Sequence, residues 1–504
     1  MLPSLAALLL AATTSTASAA PPNIVFILTD DLAVADMEQL PELRERFTTH
    51  GTRFDRAFVS LSMCCPSRAT TLRGQYAHNT GIRRNGAPDG GYGTFRDRGL
   101  ESSTIATWLH DAGYRTGLFG KYLNGYPNKR DPLAIPPGWD DWVVPSRGEA
   151  SSSYNYKLND NGTLVHHGED PEDHVTDVLA AQAVEFIEAS HAARRPFFAY
   201  VATYAPHSPA VPPPRHAGAF AGTIGPRGGA VNEADVSDKP AWTQALDLLD
   251  GPATRKLDTT ARRRLASMLG VQDLVDQVID ALSRTGELDR TFLVFTSDNG
   301  YHLGQHRMPE GKDTYFEEDI RVPLYVRGPG VLAGQARGEM VVNADLAATF
   351  AELAGLTPPA QNDGRSWASL LRGETPAWRR GVLLEHWGAA TGERARGRGA
   401  RRAEESTLEK PDGVDGADPK GRSRHANLRV PPFVGLRADR YTYVRYDDGE
   451  RDLYDLVADP HQLQDIAGAA SATLLASLDR WLDEMSRCKG AGCRVAEERS
   501  PGGE

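Results

Sequence analysis

The chain is 504 residues long, 40% hydrophobic and 24% charged, an ordinary globular composition with room for one large domain and an appendage, or for roughly two to three domains. Its 67 Asp and Glu outnumber 56 Lys and Arg, giving a formal net charge of -11. That balance argues against a nucleic-acid partner, because no cationic excess is available for phosphates, and any anionic substrate must be held by a local basic site.

The chain opens on MLPSLAALLLAATTSTASAA, which carries no charged side chain, has an apolar run from Leu5 to Ala12, and ends in small residues around Ala17-Ser18-Ala19. This pattern predicts a secretory signal peptide over residues 1–20, cut near Ala19 or Ala20, although its first residues lack the usual Lys or Arg. The apolar run is too short to cross a bilayer, and no later stretch is long enough. The expectation is therefore a secreted protein without a transmembrane segment.

Five apolar runs with strand character follow. NIVFILTDD ends in Asp30 and Asp31, GYRTGLFGKYLN in a segment holding Lys121, PFFAYVATYAPHSP in one holding His207, TFLVFTSDNG in Asp298 and Asn299, and RVPLYVRGPG in a Gly-Pro-Gly turn. Runs this continuously apolar suit strands buried on both faces. Between them, Val175, Leu179, Ala183, Phe186 and Ile187 recur at helical spacing, as do Leu265, Met268, Leu269, Val275, Val278, Ile279 and Leu282. Alternating strand and helix predicts an α/β fold with a large, mostly parallel central sheet sandwiched by helices. Ligands bind such sheets beyond the carboxyl ends of the strands, where the four polar clusters sit.

Residues 388–428 read differently: they are rich in Gly, Arg and Glu, with little to bury, and are expected to form a mobile charged insertion between a catalytic domain at 21–387 and a C-terminal subdomain at 429–504. In the latter, FVGLRADRYTYVRYDDGERDLYDLVADP predicts a hairpin around Asp447-Asp448-Gly449, and a helix is expected from about Ala470 to Met485. Cys488 and Cys493 flank KGAG, and in an exported chain they are expected to form a small-loop disulfide, the alternative being two free thiols on a frayed tail.

The stretch SLSMCCPSRATTLRG places Pro66 where a helix begins and Gly74 where it ends, with Cys64 and Cys65 just before it. A helix N-terminus offers free N–H groups and a positive dipole end to an anion, and a cysteine there could also be simply an activated thiol. Asp30, Asp31, Asp298 and Asn299 form an all-oxygen donor set suited to Ca²⁺ or Mg²⁺, although each pair alone is also an ordinary turn or cap.

Cys64, Pro66, Ser67, Arg68, Leu72 and Gly74 match the C-x-P-S-R-x-x-x-L-x-G signature of the type I sulfatases, and GYRTGLFGKYL resembles their second signature except at Phe119. The resemblance runs from Asn23 to LYDLVADP near the C-terminus. It implies an alkaline-phosphatase-like fold and a Cys64 converted to Cα-formylglycine (3-oxoalanine) by a formylglycine-generating enzyme, with Cys65 in a variable position. The CCPSR form, GKYLN and the late CxxxxC most resemble the N-acetylglucosamine-6-sulfatase and heparan 6-sulfatase branch.

By the same resemblance, Asp30, Asp31, Asp298, Asn299 and modified Cys64 hold Ca²⁺, with Mg²⁺ the lesser candidate. Arg68, Lys121 and Lys312 hold sulfate and the aldehyde hydrate, and His207 protonates the leaving alcohol. One hydroxyl of the hydrate attacks sulfur; loss of a proton from the other then expels sulfate and restores the aldehyde. Many relatives place a histidine just after the second-signature lysine as the base for that last step, whereas here Tyr122, Leu123 and Asn124 follow Lys121. His302 and His306 are candidates for that base or for binding the sugar. The expected partner is a sulfated small molecule or glycan, such as one with 6-sulfated N-acetylglucosamine. The alternatives are a phosphonate or phosphate monoester hydrolase of the same superfamily, or an inactive glycan-binding homologue.

Overall fold

The computed structural model describes residues 20–127, 131–148, 150–388 and 430–500. The expected leader up to residue 19 and the expected insertion from 389 to 428 lie outside the described residues.

All seven residues of the strand Asn23–Thr29 are buried, and successive side chains feed two different cores. Ile24, Phe26 and Leu28 pack with Ala69, Leu109, Ala347 and Phe350 on one face. Val25 and Ile27 pack with Leu179, Phe186, Met268, Val275 and Leu282 on the other. The period-two geometry of a strand converts the unbroken apolar run into two buried faces, each covered by helices.

This strand is the fifth of ten, in the order Gln335–Arg337, Gly51–Phe54, Leu324–Arg327, Thr291–Ser297, Asn23–Thr29, Phe197–Ala202, Arg115–Gly120, Asp141–Gly148, Tyr156–Asp160 and Thr163–His167. The four runs that end in polar clusters are consecutive neighbours and mutually parallel, as the alternating pattern predicts. The fifth run, Leu324–Arg327, pairs antiparallel with Thr291–Ser297, so the sheet is mixed at its margins. The two periodic segments form the helices Val175–Ala192 and Gly251–Thr285, which pack against each other on the Val25 side.

A separate four-stranded antiparallel sheet comprises Gly381–His386, Phe433–Ala438, Tyr441–Tyr446 and Arg451–Asp455. Its hairpin turns at Gly449, whose φ of 92° lies in the left-handed region that glycine enters without strain. Its first strand comes from before residue 388, so this layer draws on residues placed by the sequence pattern in the larger domain. The helix Ala472–Met485 closes it with Leu478, Trp481, Leu482 and Met485, and Cys488 is joined to Cys493 by a disulfide.

Candidate active site

Because the four parallel strands are neighbours, their carboxyl ends deliver Asp30, Lys121, His207 and Asp298 to one place. Asp31 turns the chain there with φ 69°, a conformation that Asp tolerates better than most residues.

The helix that carries the signature spans Cys64–Arg73. Its two cysteines are the first two helical residues, with Met63 at the cap, instead of lying just ahead of the helix as the Pro66 spacing predicts. Proline has no N–H, and the N–H groups of a first turn are unpaired in any case, so Pro66 fits the third position as well as the first. Gly74 ends the helix with φ 63°, and a Cβ there would lie 1.7 Å from Asn362 Nδ2.

Cys64 is completely buried, with Sγ 3.3 Å from Asp30 Oδ1 and 2.7 Å from Lys312 Nζ. Lys312 Nζ also donates to Asp31 Oδ1 at 2.6 Å, and Lys121 Nζ donates to Asp30 Oδ2 at 2.5 Å. Arg68 donates from Nε to Asp298 Oδ2 at 2.8 Å and from Nη1 to the Lys121 carbonyl at 2.9 Å. Ser67 Oγ donates to the Asp298 carbonyl, locking the helix to the strand end. Three buried carboxylates thus face three cations, and opposite charge in a dry site is felt strongly. Burial alone would push Asp30 up, but Lys121, His207, Arg68 and Lys312 outweigh it and hold this carboxyl well below the usual range.

Ligand atoms of Asp30, Asp31, Cys64 and Asp298 lie within 4.8 Å of one another. Asn299 donates from Nδ2 to Asp31 Oδ1 at 2.6 Å, while its buried Oδ1 has no hydrogen-bond partner among the described residues. An orphaned amide oxygen beside three carboxylates fits a hard, oxygen-seeking cation such as Ca²⁺ or Mg²⁺.

His207 Nδ1 bonds the Ser208 carbonyl at 2.7 Å and must donate, which assigns the remaining Nε2 to the site side; it is 3.9 Å from Asp31 Oδ2. His302 and His306 are both fully buried. Nδ1 of His302 donates to Asp319 at 2.9 Å, Nδ1 of His306 donates to Glu233 at 2.8 Å, and neither Nε2 has a hydrogen-bond partner among the described residues. Tyr122, which replaces the histidine of many relatives, packs against Tyr92, Tyr126 and Trp142. Burial raises its hydroxyl well above the ordinary tyrosine range, which makes it unsuited to act as a base. Cys65 lies in the apolar core, and its thiol is pushed up to about 12 by burial.

Sequence reasoning passed over Arg264. Its Nη2 donates to the Asp31 carbonyl at 2.5 Å and its Nη1 to the Pro206 carbonyl at 3.3 Å, while the guanidinium lies 4.2 Å from the Tyr301 ring centre. A signal was present: Arg264 shares a helical face with Ala261, Leu265 and Met268, so a charge falls on the buried stripe. Asp319, by contrast, follows Glu317 and Glu318 and nothing in the sequence distinguishes it from them.

The sulfatase family profile matches residues 22–356. The chain belongs to the sulfatase family. It is 33% identical over 493 residues to an N-acetylglucosamine-6-sulfatase of Capra hircus, covering 95% of this chain and 86% of the relative. The Homo sapiens N-acetylglucosamine-6-sulfatase is also 33% identical, across 95% of this chain and 87% of its own length. A solved structure described in complex with its substrate D-glucosamine-2-N,6-O-disulfate superposes with a TM-score of 0.75 at 24% identity, over 93% of this chain and 98% of that one. This sulfatase is a sulfuric ester hydrolase with the alkaline-phosphatase-like fold. Among the described residues no helix is long and apolar enough to cross a membrane.

Proposed function

We propose that this sulfatase is exported and removes the 6-sulfate from N-acetylglucosamine-type sugars of a sulfated glycan, with residue 64 working as formylglycine beside Ca²⁺. The observation that carries this reading is the placement of Cys64 Sγ within 3.3 Å of Asp30 and 2.7 Å of Lys312, inside the carboxylate cluster. The relatives named N-acetylglucosamine-6-sulfatase support the sugar and the position of the ester. The leader-like residues 1–20 support export.

Asp30, Asp31, Asp298 and Asn299 would hold the cation, which when bound supplies Lewis-acid stabilisation of sulfate oxygens. Formylglycine, once hydrated, supplies a geminal diol whose two hydroxyls serve attack on sulfur and the later release of sulfate. Arg68, Lys121 and Lys312 offset the charge of the sulfate, and water is kept out because these groups are buried. His207 delivers a proton from Nε2 to the departing alcohol, its ring held by the Nδ1 bond to Ser208.

The test is expression together with a formylglycine-generating enzyme, mass spectrometry of the peptide spanning residue 64, and turnover on 6-sulfated N-acetylglucosamine, an aryl sulfate and an aryl phosphonate ester. The expected outcome is a peptide lighter than its cysteine form and a preference for the sulfated sugar. Phosphonate turnover far above sulfate turnover would establish the phosphonate hydrolase instead. A chain that carries formylglycine but turns over none of the three would be a glycan-binding homologue.

A further inference from the structure

Lys312 and the pair Asp298 and Asn299 reach the site on two different loops, and the structure shows how these are joined. Past Asn299, the N–H of Gly300 donates to the Asp319 carbonyl and that of Tyr301 to the Glu318 carbonyl, each at 2.8 Å. The approach is so close that a Cβ on Gly300 would lie 2.0 Å from the Glu318 oxygen. Past Lys312, Thr314 donates to Asp319 Oδ2 from its N–H at 3.0 Å and from Oγ1 at 2.6 Å. His302 Nδ1 reaches the same carboxylate, at 2.9 Å from Oδ1 and 3.1 Å from Oδ2. The Thr314 carbonyl in turn accepts from Ser62 Oγ at 2.7 Å, two residues before Cys64.

We infer that Asp319 is a positioning residue, whose fully buried carboxylate pins the Lys312 loop to the loop of Asp298 and Asn299 and so fixes Lys312 against residue 64. A buried carboxylate is expensive to desolvate, and its three donors here come from the two loops it joins. A short antiparallel ladder of His302–Leu303 with Glu310–Gly311 already ties the two loops, but it ends just before Lys312, and the strand Thr291–Ser297 ends just before Asp298. Neither Lys312 nor Asn299 is therefore itself held by regular structure, while the chemistry depends on sub-ångström placement of a cation beside the nucleophile. Asp319 touches none of the reacting groups itself; it acts through His302 and Thr314. The inference rests on the sulfatase chemistry proposed above only for its activity readout.

The experiment compares Asp319→Asn, Thr314→Val and Thr314→Ser with the wild type, all co-expressed with a formylglycine-generating enzyme. Asp319→Asn keeps the shape but turns one acceptor into a donor, so at least one of the three bonds is lost. The expected result is unchanged formylglycine content by peptide mass spectrometry and a kcat on an aryl sulfate lowered roughly 10- to 100-fold, with KM within about threefold. The Ca²⁺ concentration giving half-maximal thermal stabilisation should rise about tenfold. Thr314→Val should lose several-fold in kcat and Thr314→Ser should restore it. Asp319→Asn with a lowered melting temperature but wild-type kcat and Ca²⁺ midpoint would overturn the inference. So would equal activity of the two Thr314 variants, which decide the matter if Asp319→Asn does not fold. A wild type that carries formylglycine yet cleaves no sulfate ester would refute the proposed function while leaving the Ca²⁺ midpoint to test Asp319.

Discussion

Lys312 donates from Nζ to Sγ of Cys64 across 2.7 Å, although 248 residues separate them. The same ammonium is 2.6 Å from Asp31, so one flexible side chain is shared between Cys64 and a carboxylate of the cluster formed by Asp30, Asp31 and Asp298. A compact ammonium can serve two partners at an angle that the flat fork of a guanidinium cannot reproduce. Lys312→Ala is therefore expected to lower kcat by about 10²- to 10³-fold, the size of effect seen when one preorganised donor to developing charge is removed. Lys312→Arg should not rescue it, as steady-state kinetics on an aryl sulfate would reveal; wild-type turnover in the arginine variant would show that charge alone suffices there.

The adjacent cysteines have opposite surroundings. Cys64 opens onto Asp30 and Lys312, whereas Cys65 faces the apolar core beneath the helix. Cys64→Ala should abolish turnover and leave the melting temperature close to that of the wild type. Cys65→Ala should keep turnover within about threefold and cost roughly 1–2 kcal/mol from the lost buried contacts, measurable by denaturant unfolding. Equal loss of activity in the two variants would show that the pair has been assigned wrongly.

Much of this was legible in the chain itself because buried parallel strands write their burial directly into unbroken apolar runs. Those ending at Asp30, Lys121, His207 and Asp298 proved to be four adjacent strands, so separate clusters in sequence became one site. What could not be read is whatever depends on tertiary contact. The buried setting of His302 and His306 is set by Asp319 and Glu233, partners 17 and 73 residues away. The strand Gly381–His386 joined the small sheet because pairing with Phe433–Ala438 is a long-range choice that periodicity does not encode.

Calcium removal should act on stability as well as on rate. Without a cation, the carboxylates of Asp30, Asp31 and Asp298 are held close together in a buried site, balanced by Arg68, Lys121, Lys312 and His207. Chelation with EGTA is expected to lower the melting temperature and suppress turnover, and added Ca²⁺ to restore both. At a free Ca²⁺ concentration of 100 times Kd the stabilisation amounts to about 2.7 kcal/mol. Asp31→Asn should blunt this response, and a calorimetric melting temperature indifferent to EGTA would argue against a cation at these residues.

The small sheet carries its own pH dependence. Asp452 is buried, with Oδ2 accepting from Tyr315 at 2.6 Å and from Tyr446 at 2.9 Å. Burial raises its carboxyl from an ordinary 3.8 to about 7, against the two tyrosine hydrogen bonds and with help from Asp465 and Glu450. A carboxyl with a raised folded pKa keeps its proton in the folded chain after the unfolded chain has lost it. Between the unfolded value of 3.8 and the folded value of about 7, its contribution to stability therefore falls as pH rises, and it is flat on either side. Asp452→Asn keeps an acceptor for both tyrosines and removes the ionisation. The difference in unfolding free energy between variant and wild type should move in favour of the variant by on the order of 1–4 kcal/mol from pH 4 to pH 8, as chemical denaturation across that range would measure. A difference that stays constant with pH would mean that Asp452 is ionised in the folded protein throughout, and that the two tyrosine hydroxyls suffice to hold the charge.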